Sequence, residues 1–204
     1  MSNHSNLFSV VPQSDYLRMP WKNGLGETLE IAVSRENDEV LYRISQAAVV
    51  EDGAFSDFSG LHRTLVLLKG NGMHLSHKNA QKEYQHNLEQ VLSVAHFAGG
   101  DSTYATLSNG AIEDLNIMVR EGKVSSEVEA VFSPASFDVS RDSHTLFTGF
   151  YANSDCELLV QSQAIQQSIA IPNQATVLLH QNSQITLQKG CGVFIVIIVT
   201  FTMS

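Results

Sequence analysis

Met19-Pro20-Trp21-Lys22-Asn23-Gly24-Leu25-Gly26-Glu27-Thr28-Leu29-Glu30-Ile31 reads as a turn that runs straight into an alternating strand. Asn23-Gly24 is tight-turn chemistry, because φ above zero costs glycine nothing and asparagine little. From Thr28 to Val33 the side chains alternate, with Leu29, Ile31 and Val33 on one face and Thr28, Glu30 and Ala32 on the other. The turn also gathers the chain's only tryptophan, an ammonium and a carboxamide at Trp21, Lys22 and Asn23. Gly24 and Gly26 let a ligand or a second backbone approach closely. The plain alternative is a hairpin whose tryptophan packs on the core.

The same grammar recurs along the chain. Leu41 to Ser45 alternates, so Arg43 and Ser45 share a face. Leu65 to Leu68 is a short apolar run before a glycine turn, as expected of a strand buried on both faces. Ile112 to Val119 sets Asp114, Asn116 and Met118 against Leu115, Ile117 and Val119. Further strands are expected over 136–140, 145–151, 157–160, 168–171, 175–180, 184–188 and 193–201. Turn residues recur about every eight to twelve positions, the spacing of a sandwich or barrel and not of βαβ units. Residues 79–91 have the composition of an amphipathic helix, but they lack a firm cap and break the apolar stripe, so a polar hairpin is expected. The chain therefore reads as all-β. Lys69-Gly70-Asn71-Gly72-Met73 is echoed by Lys189-Gly190-Cys191-Gly192-Val193, which suggests two similar barrels or a chance recurrence.

Composition removes several functions. A chain of 204 residues suffices for one large β domain or two small ones. Its formal net charge of −9 repels nucleic-acid backbones and anionic membranes, and no basic cluster offsets it. The longest apolar run, Val193 to Val199 with Phe201 just beyond, is far short of the roughly 20 residues of a membrane helix. The N-terminus lacks the basic start and apolar stretch of a signal peptide, so the cytoplasm is the expected compartment. Cys156 and Cys191 stand in unrelated contexts without a C-x-x-C and read as reduced core residues.

The chemistry left open is narrow. His74 and His77 are offset by three residues, which puts their rings on opposite faces of a strand, and the other histidines stand alone. No metal and no cofactor is expected. There is no G-x-S-x-G, no phosphate loop and no marked carboxylate pair. What remains is a polar set on strands. Lys22, Arg43 and Arg63 are basic, Ser45 shares a face with Arg43, and Asn116 shares one with Asp114. Phe55-Ser56-Asp57-Phe58 supplies aromatic walls and a hydroxyl. Guanidinium forks, amides and hydroxyls on a rigid β scaffold suit a small carboxylate. The alternative is a solvated strand face with surface ion pairs.

Read together, these stretches resemble the HutD/Ves family of bacterial proteins. The resemblance is carried by Trp21-Lys22-Asn23-Gly24, Glu27-Thr28-Leu29-Glu30-Ile31-Ala32 and Tyr42-Arg43-Ile44-Ser45. It continues through Asp52 to Gly60, Arg63, Leu67 to Gly72, Phe97 to Asp101 and Asp114 to Arg120. The sequence departs from the usual pattern at Leu25, Ala54 and Tyr42. The resemblance implies a bicupin: two RmlC-like jelly-roll β-barrels in one chain, without the metal ligands of enzymatic cupins. It also implies a metabolite of histidine degradation as ligand, with urocanate and N-formylglutamate as the candidates.

On this reading residues 1–123 form an N-terminal barrel with the ligand pocket and residues 124–204 a second barrel. Arg43 and Arg63 pair with a carboxylate, Trp21 and Phe55 form an apolar wall, and Asn23, Ser45, Ser56 and Asn116 orient the ligand. Lys22 adds charge at the rim, and Asp114 holds a basic partner in place. The apolar C-terminal strand is the candidate surface for a homodimer. Binding and flux moderation are expected rather than turnover, since no residue has the partner that would activate it. The rivals are a metal-independent isomerase or hydrolase with Asp114 as base, and a stress-linked interaction protein.

Overall fold

Alternating sequence becomes strand after strand. The computed structural model describes residues 7–21, 26–163 and 165–200. Among the described residues there are nineteen strands, one short 3-10 turn at Gln13–Asp15 and no α-helix. In chain order they are β1 (Phe8–Val11), β2 (Leu17–Pro20), β3 (Glu27–Glu36), β4 (Glu39–Val49), β5 (Gly53–Ala54) and β6 (Leu61–Lys69). Then come β7 (Met73–Lys78), β8 (Glu83–Leu88), β9 (Val94–Ala98), β10 (Ser102–Leu107), β11 (Ile112–Arg120) and β12 (Val124–Phe132). The last are β13 (Ala135–Val139), β14 (Thr145–Ala152), β15 (Cys156–Gln161), β16 (Gln166–Ile171), β17 (Thr176–Leu179), β18 (Ser183–Lys189) and β19 (Cys191–Val199). The polar hairpin expected over 79–91 is β7–β8, paired from Met73↔Leu88 to Lys78↔Glu83.

The chain divides into two units, residues 17–125 and residues 7–16 with 126–200. In the first, one sheet runs β2-β3-β4-β11-β6-β9 and the other β5-β10-β7-β8. In the second, the sheets run β1-β17-β14-β19-β12 and β13-β18-β15-β16. Placing β4 beside β12, β5 beside β13 and so on to β11 beside β19 makes the two orders identical. That order is the eight-strand, two-sheet jelly roll. Each core lies between its own two sheets: Leu65, Ala95 and Ile112 meet Met73, Leu75 and Leu88 in the first unit. Phe150, Val177 and Leu179 meet Leu158, Ile171 and Leu187 in the second.

Several features depart from the sequence reading or add to it, each for a physical reason. The glycine echo is turn chemistry, not a repeat: residues 70–72 join β6 to β7, whereas Gly190 joins β18 to β19, the counterparts of β10 and β11. Residues 7–16 belong with the C-terminal unit, not with a barrel of residues 1–123. β1 pairs with β17 from Phe8↔Leu179 to Val11↔Thr176, and the Tyr16 hydroxyl lies 2.7 Å from Thr176 Oγ1. In β3 the register slips between Glu30 and Ala32, so Ile31 is a bulge and Val33, not Ala32, comes to share the face of Glu30. The C-terminal strand β19 is flanked by β14 and β12 in its sheet, and Val193, Ile195 and Ile197 are buried. Its backbone therefore offers no free edge for strand addition. The two cysteines also meet: both thiols lie within 3.8 Å of the Ser154 hydroxyl.

Leu65, Val66 and Leu67 have no exposed surface, as expected of a strand buried on both faces. Replacing Leu65 by Ala leaves a cavity between the sheets and is expected to cost about 2–5 kcal/mol. The urea midpoint should fall with an unchanged slope; a loss below about 1 kcal/mol contradicts this placement.

Candidate functional site

Register assembles the site. Directly opposed residues of an antiparallel pair share a sheet face, and successive residues alternate. β4 sets Arg43, Ser45 and Ala47 opposite Met118, Asn116 and Asp114 of β11. β6 sets Arg63 opposite Met118 on the other side of β11. β3 adds Thr28 opposite Ala47 and Glu30 opposite Ser45. Three groups that the sequence placed on separate faces thus become one polar face inside the N-terminal unit.

This face forms the floor of a cavity of about 600 Å³, with walls from β2 and from residues 54–58. Trp21, Arg43, Ser45, Phe55, Ser56, Arg63, Asp114 and Asn116 all line it. Lys22 and Asn23 lie outside the described residues. The Trp21 indole is held by a hydrogen bond from its Nε1 to Thr28 Oγ1 at 2.9 Å. It passes so close to Gly26 that a Cβ there would sit 3.2 Å from the ring. Close approach is therefore Gly26's use here, and the indole is what approaches. Ser56 is exposed. The loop before Phe58 is pinned by a bond from Phe58 N to Gly99 O at 2.9 Å. A side chain at Gly99 would collide with the Phe58 carbonyl oxygen, which fixes this residue type beneath the loop.

Arg63 is buried to 3 % exposure. Its guanidinium carbon lies 5.0 Å from the Phe55 ring centre, 5.2 Å from Phe58 and 5.0 Å from Phe97. Three ring faces around one cation replace part of its lost hydration. Its Nε donates to Asn116 Oδ1 at 3.2 Å. Burial pulls the guanidinium down to about 10, against the opposing pull of Asp114, so it stays charged at neutral pH. Asp114 is equally buried, and burial pushes its carboxyl up to about 7 although Arg63 holds it down. Its Oδ1 has no hydrogen-bond partner among the described residues.

Arg43 differs from the reading that gave it a ligand. Its Nε donates to Glu30 Oε2 at 2.8 Å, and both side chains are largely buried. This pair neutralises itself within the wall and, among the described residues, leaves Arg63 as the cation facing Asp114, whose Oδ1 is unpaired.

The histidines are engaged elsewhere. His77 lies on the inward face of β7 and His74 on the other, as their spacing requires. Thr103 Oγ1 donates to Asp101 O, so His77 Nδ1 donates to Thr103 Oγ1 at 2.9 Å, and His77 Nε2 accepts from His86 Nδ1 at 3.0 Å. Burial, then His86, lowers His77 to about 4. Among the described residues no three His, Cys, Asp or Glu side chains converge as a metal-binding group.

Sequence reasoning missed several lining residues, chiefly Thr28 and Met118, and the contributions of Glu30 and Phe97. Met118 shares a strand face with Asp114 and Asn116, so alternation alone could have found it. Glu30 was hidden because only pairing with β4 places it beside Arg43. Phe97 carries no local signal at all.

Comparison with known proteins fits this architecture. The HutD family model matches residues 13–195. An uncharacterised 21.2 kDa protein in the hutC 3′ region of Pseudomonas putida is 38 % identical over 108 residues, 51 % of this chain and 54 % of that protein. Protein Ves of Citrobacter koseri is 36 % identical over 119 residues, 56 % of this chain and 60 % of that protein. The chain thus spans little more than half the length of these curated relatives. HutD from Pseudomonas fluorescens SBW25 superposes with a TM-score of 0.75 at 25 % identity, covering 95 % of this chain and all of that one. Oxalate decarboxylase from Lactobacillus farciminis, at 8 % identity, superposes with a TM-score of 0.63 over 97 % of this chain and 87 % of that one. The last likeness shows the cupin fold alone.

The Asp114 carboxyl makes stability depend on pH. Unfolded, it titrates near 4; folded, near 7, so the stability it contributes is complete below about pH 4 and is lost as pH rises through 7. Asp114→Asn removes that loss, so its advantage over the parent should widen by roughly 2–3 kcal/mol between pH 5 and pH 8. Urea midpoints at the two pH values measure it, and a gap independent of pH contradicts the burial of an ionisable Asp114.

Proposed function

This chain belongs to the HutD family, and on that premise we propose that its N-terminal barrel binds a small carboxylate metabolite and moderates flux through a degradative pathway. The observation that carries the reading is the Arg63 guanidinium, caged by three phenyl rings at one wall of a preformed cavity. A buried, pre-oriented fork is suited to carboxylate capture, and apolar walls with few polar groups suit a small organic anion. The relatives named for HutD and for the hutC region favour histidine degradation, with urocanate and N-formylglutamate as candidate ligands. The protein works in the cytoplasm without a metal or cofactor.

One observation favours a second reading. A carboxyl held near 7 is in the range of a general base at neutral pH, so Asp114 would serve a metal-independent isomerase or hydrolase. Proton NMR of each candidate metabolite incubated with the protein separates the two, since a binder leaves the spectrum unchanged over hours.

Trp21 is the chain's only tryptophan and lines the cavity, so its fluorescence reports occupancy directly. At 100 times Kd a ligand that binds only the folded state adds about 2.7 kcal/mol, several degrees of melting temperature. Urocanate or N-formylglutamate should give both signals, and neutral analogues lacking the carboxylate should give neither. Arg63→Met should abolish the response and also lower basal stability, more at pH 8 than at pH 5, because ionised Asp114 loses its counter-charge. The proposal fails if neither metabolite acts on the wild type, or if the Arg63→Met protein responds like the parent.

A further inference from the structure

Asp114 is the unexplained group of the cavity. Its Oδ1 is buried without a hydrogen-bond partner among the described residues. An unpaired buried acceptor is costly and uncommon in a folded protein. The other such atom, Thr148 Oγ1, lies on β14 in the C-terminal unit and is not among the residues that line this cavity. Asp114 belongs to a residue that lines the cavity, so a bound molecule is the natural partner for it.

Charge narrows what that molecule is. Arg43 is matched by Glu30, and Arg63 faces Asp114. With Asp114 ionised, these four groups from β3, β4, β6 and β11 sum to zero. A ligand that offers only a carboxylate then adds an anion beside an unsatisfied carboxylate in a poorly solvated space. A ligand that also offers a hydrogen-bond donor supplies Asp114 with what it lacks.

Register supplies the spacing. Arg63 sits at the level of Met118, but its Nε has climbed to Asn116, one inward row along β11. Asp114 is the next inward row, roughly 7 Å further at two residues per row. The row that accepts from the Arg63 Nε and the row that carries Asp114 are thus neighbours, so one small ligand lying over the floor can reach both groups.

We infer that the cavity selects small carboxylates that carry an N–H or O–H donor a few ångströms from the carboxylate, the carboxylate going to Arg63 and the donor to Asp114. This rests on the carboxylate reading of the same site and makes Asp114 its specificity-determining residue. Shape alone would then accept an isostere that Asp114 rejects.

The experiment uses pyrrolyl and furyl propenoates, identical in outline except that a ring N–H replaces a ring oxygen. Both are titrated against the full chain at pH 8, where Asp114 is ionised, with Trp21 fluorescence as readout. The pyrrolyl acid should bind at least about tenfold more tightly, because the furyl acid leaves the buried acceptor unpaired. Asp114→Asn should narrow the preference, since its amide can face either ring. Equal binding of the two acids to the parent overturns the inference and leaves the carboxylate reading standing. Furyl binding that tightens from pH 8 to pH 6, with no pyrrolyl advantage, also overturns it, because Asp114 then acts as a proton donor to the carboxylate. If neither acid binds, while a carboxylate without a donor does, the inference fails alone; if no carboxylate binds, both readings fail together.

Discussion

A guanidinium inside a β sandwich is expensive unless its surroundings replace water on every side, and the N-terminal barrel is arranged around that requirement. Arg63 has aromatic faces from Phe55, Phe58 and Phe97, an amide acceptor from Asn116 and a carboxyl from Asp114. These come from the loop after β5, from β9 and from β11, so burying one cation constrains three parts of the unit. Gly99 belongs to the same constraint, because only a residue without a side chain lets the Phe58 loop lie so close. The cavity follows from this arrangement: a polar face too charged to be packed over with aliphatic side chains remains open.

Comparison of the two units sharpens the point. They share one jelly-roll order, yet the positions between the sheets are filled differently. In the C-terminal unit Phe150, Leu158, Val177 and Leu187 close the interior with apolar side chains. In the N-terminal unit the aliphatic core gives way at one part of the sandwich to Ser45, Arg63, Asp114 and Asn116. Topology therefore says little about where chemistry resides. The residues at inward positions of four neighbouring strands decide it.

Much of this was legible because β structure writes its faces into the sequence at a period of two. Arg43 with Ser45, and Asp114 with Asn116, were correctly placed on common faces, and the opposed His74 and His77 likewise. What alternation cannot show is which strand lies beside which. The pairing that joins Arg63 to Asn116 spans 53 residues of chain, and the Arg43–Glu30 pair needs β3 and β4 side by side in one register. A bulge is the specific failure of period-two reading: one extra residue at Ile31 exchanges the faces beyond it. The glycine echo pointed to two barrels, which are present, but from turns that are not equivalent, since turn residues report local backbone geometry and carry no address within the fold.

The pairing of β1 with β17 has a temporal consequence. The ribosome delivers Phe8 to Val11 long before Thr176 to Leu179. Residues 17–125 can close their own sheets as they emerge, whereas the leading strand must wait unpaired for its place in a sheet still being synthesised. Until then the chain carries a short apolar strand with no ladder, and a pairing of such long sequence separation is intrinsically slow to form. Once formed, it covers the outer edge of β17, which would otherwise present unpaired amides and carbonyls to any passing strand. An early strand thus seals a sheet completed much later.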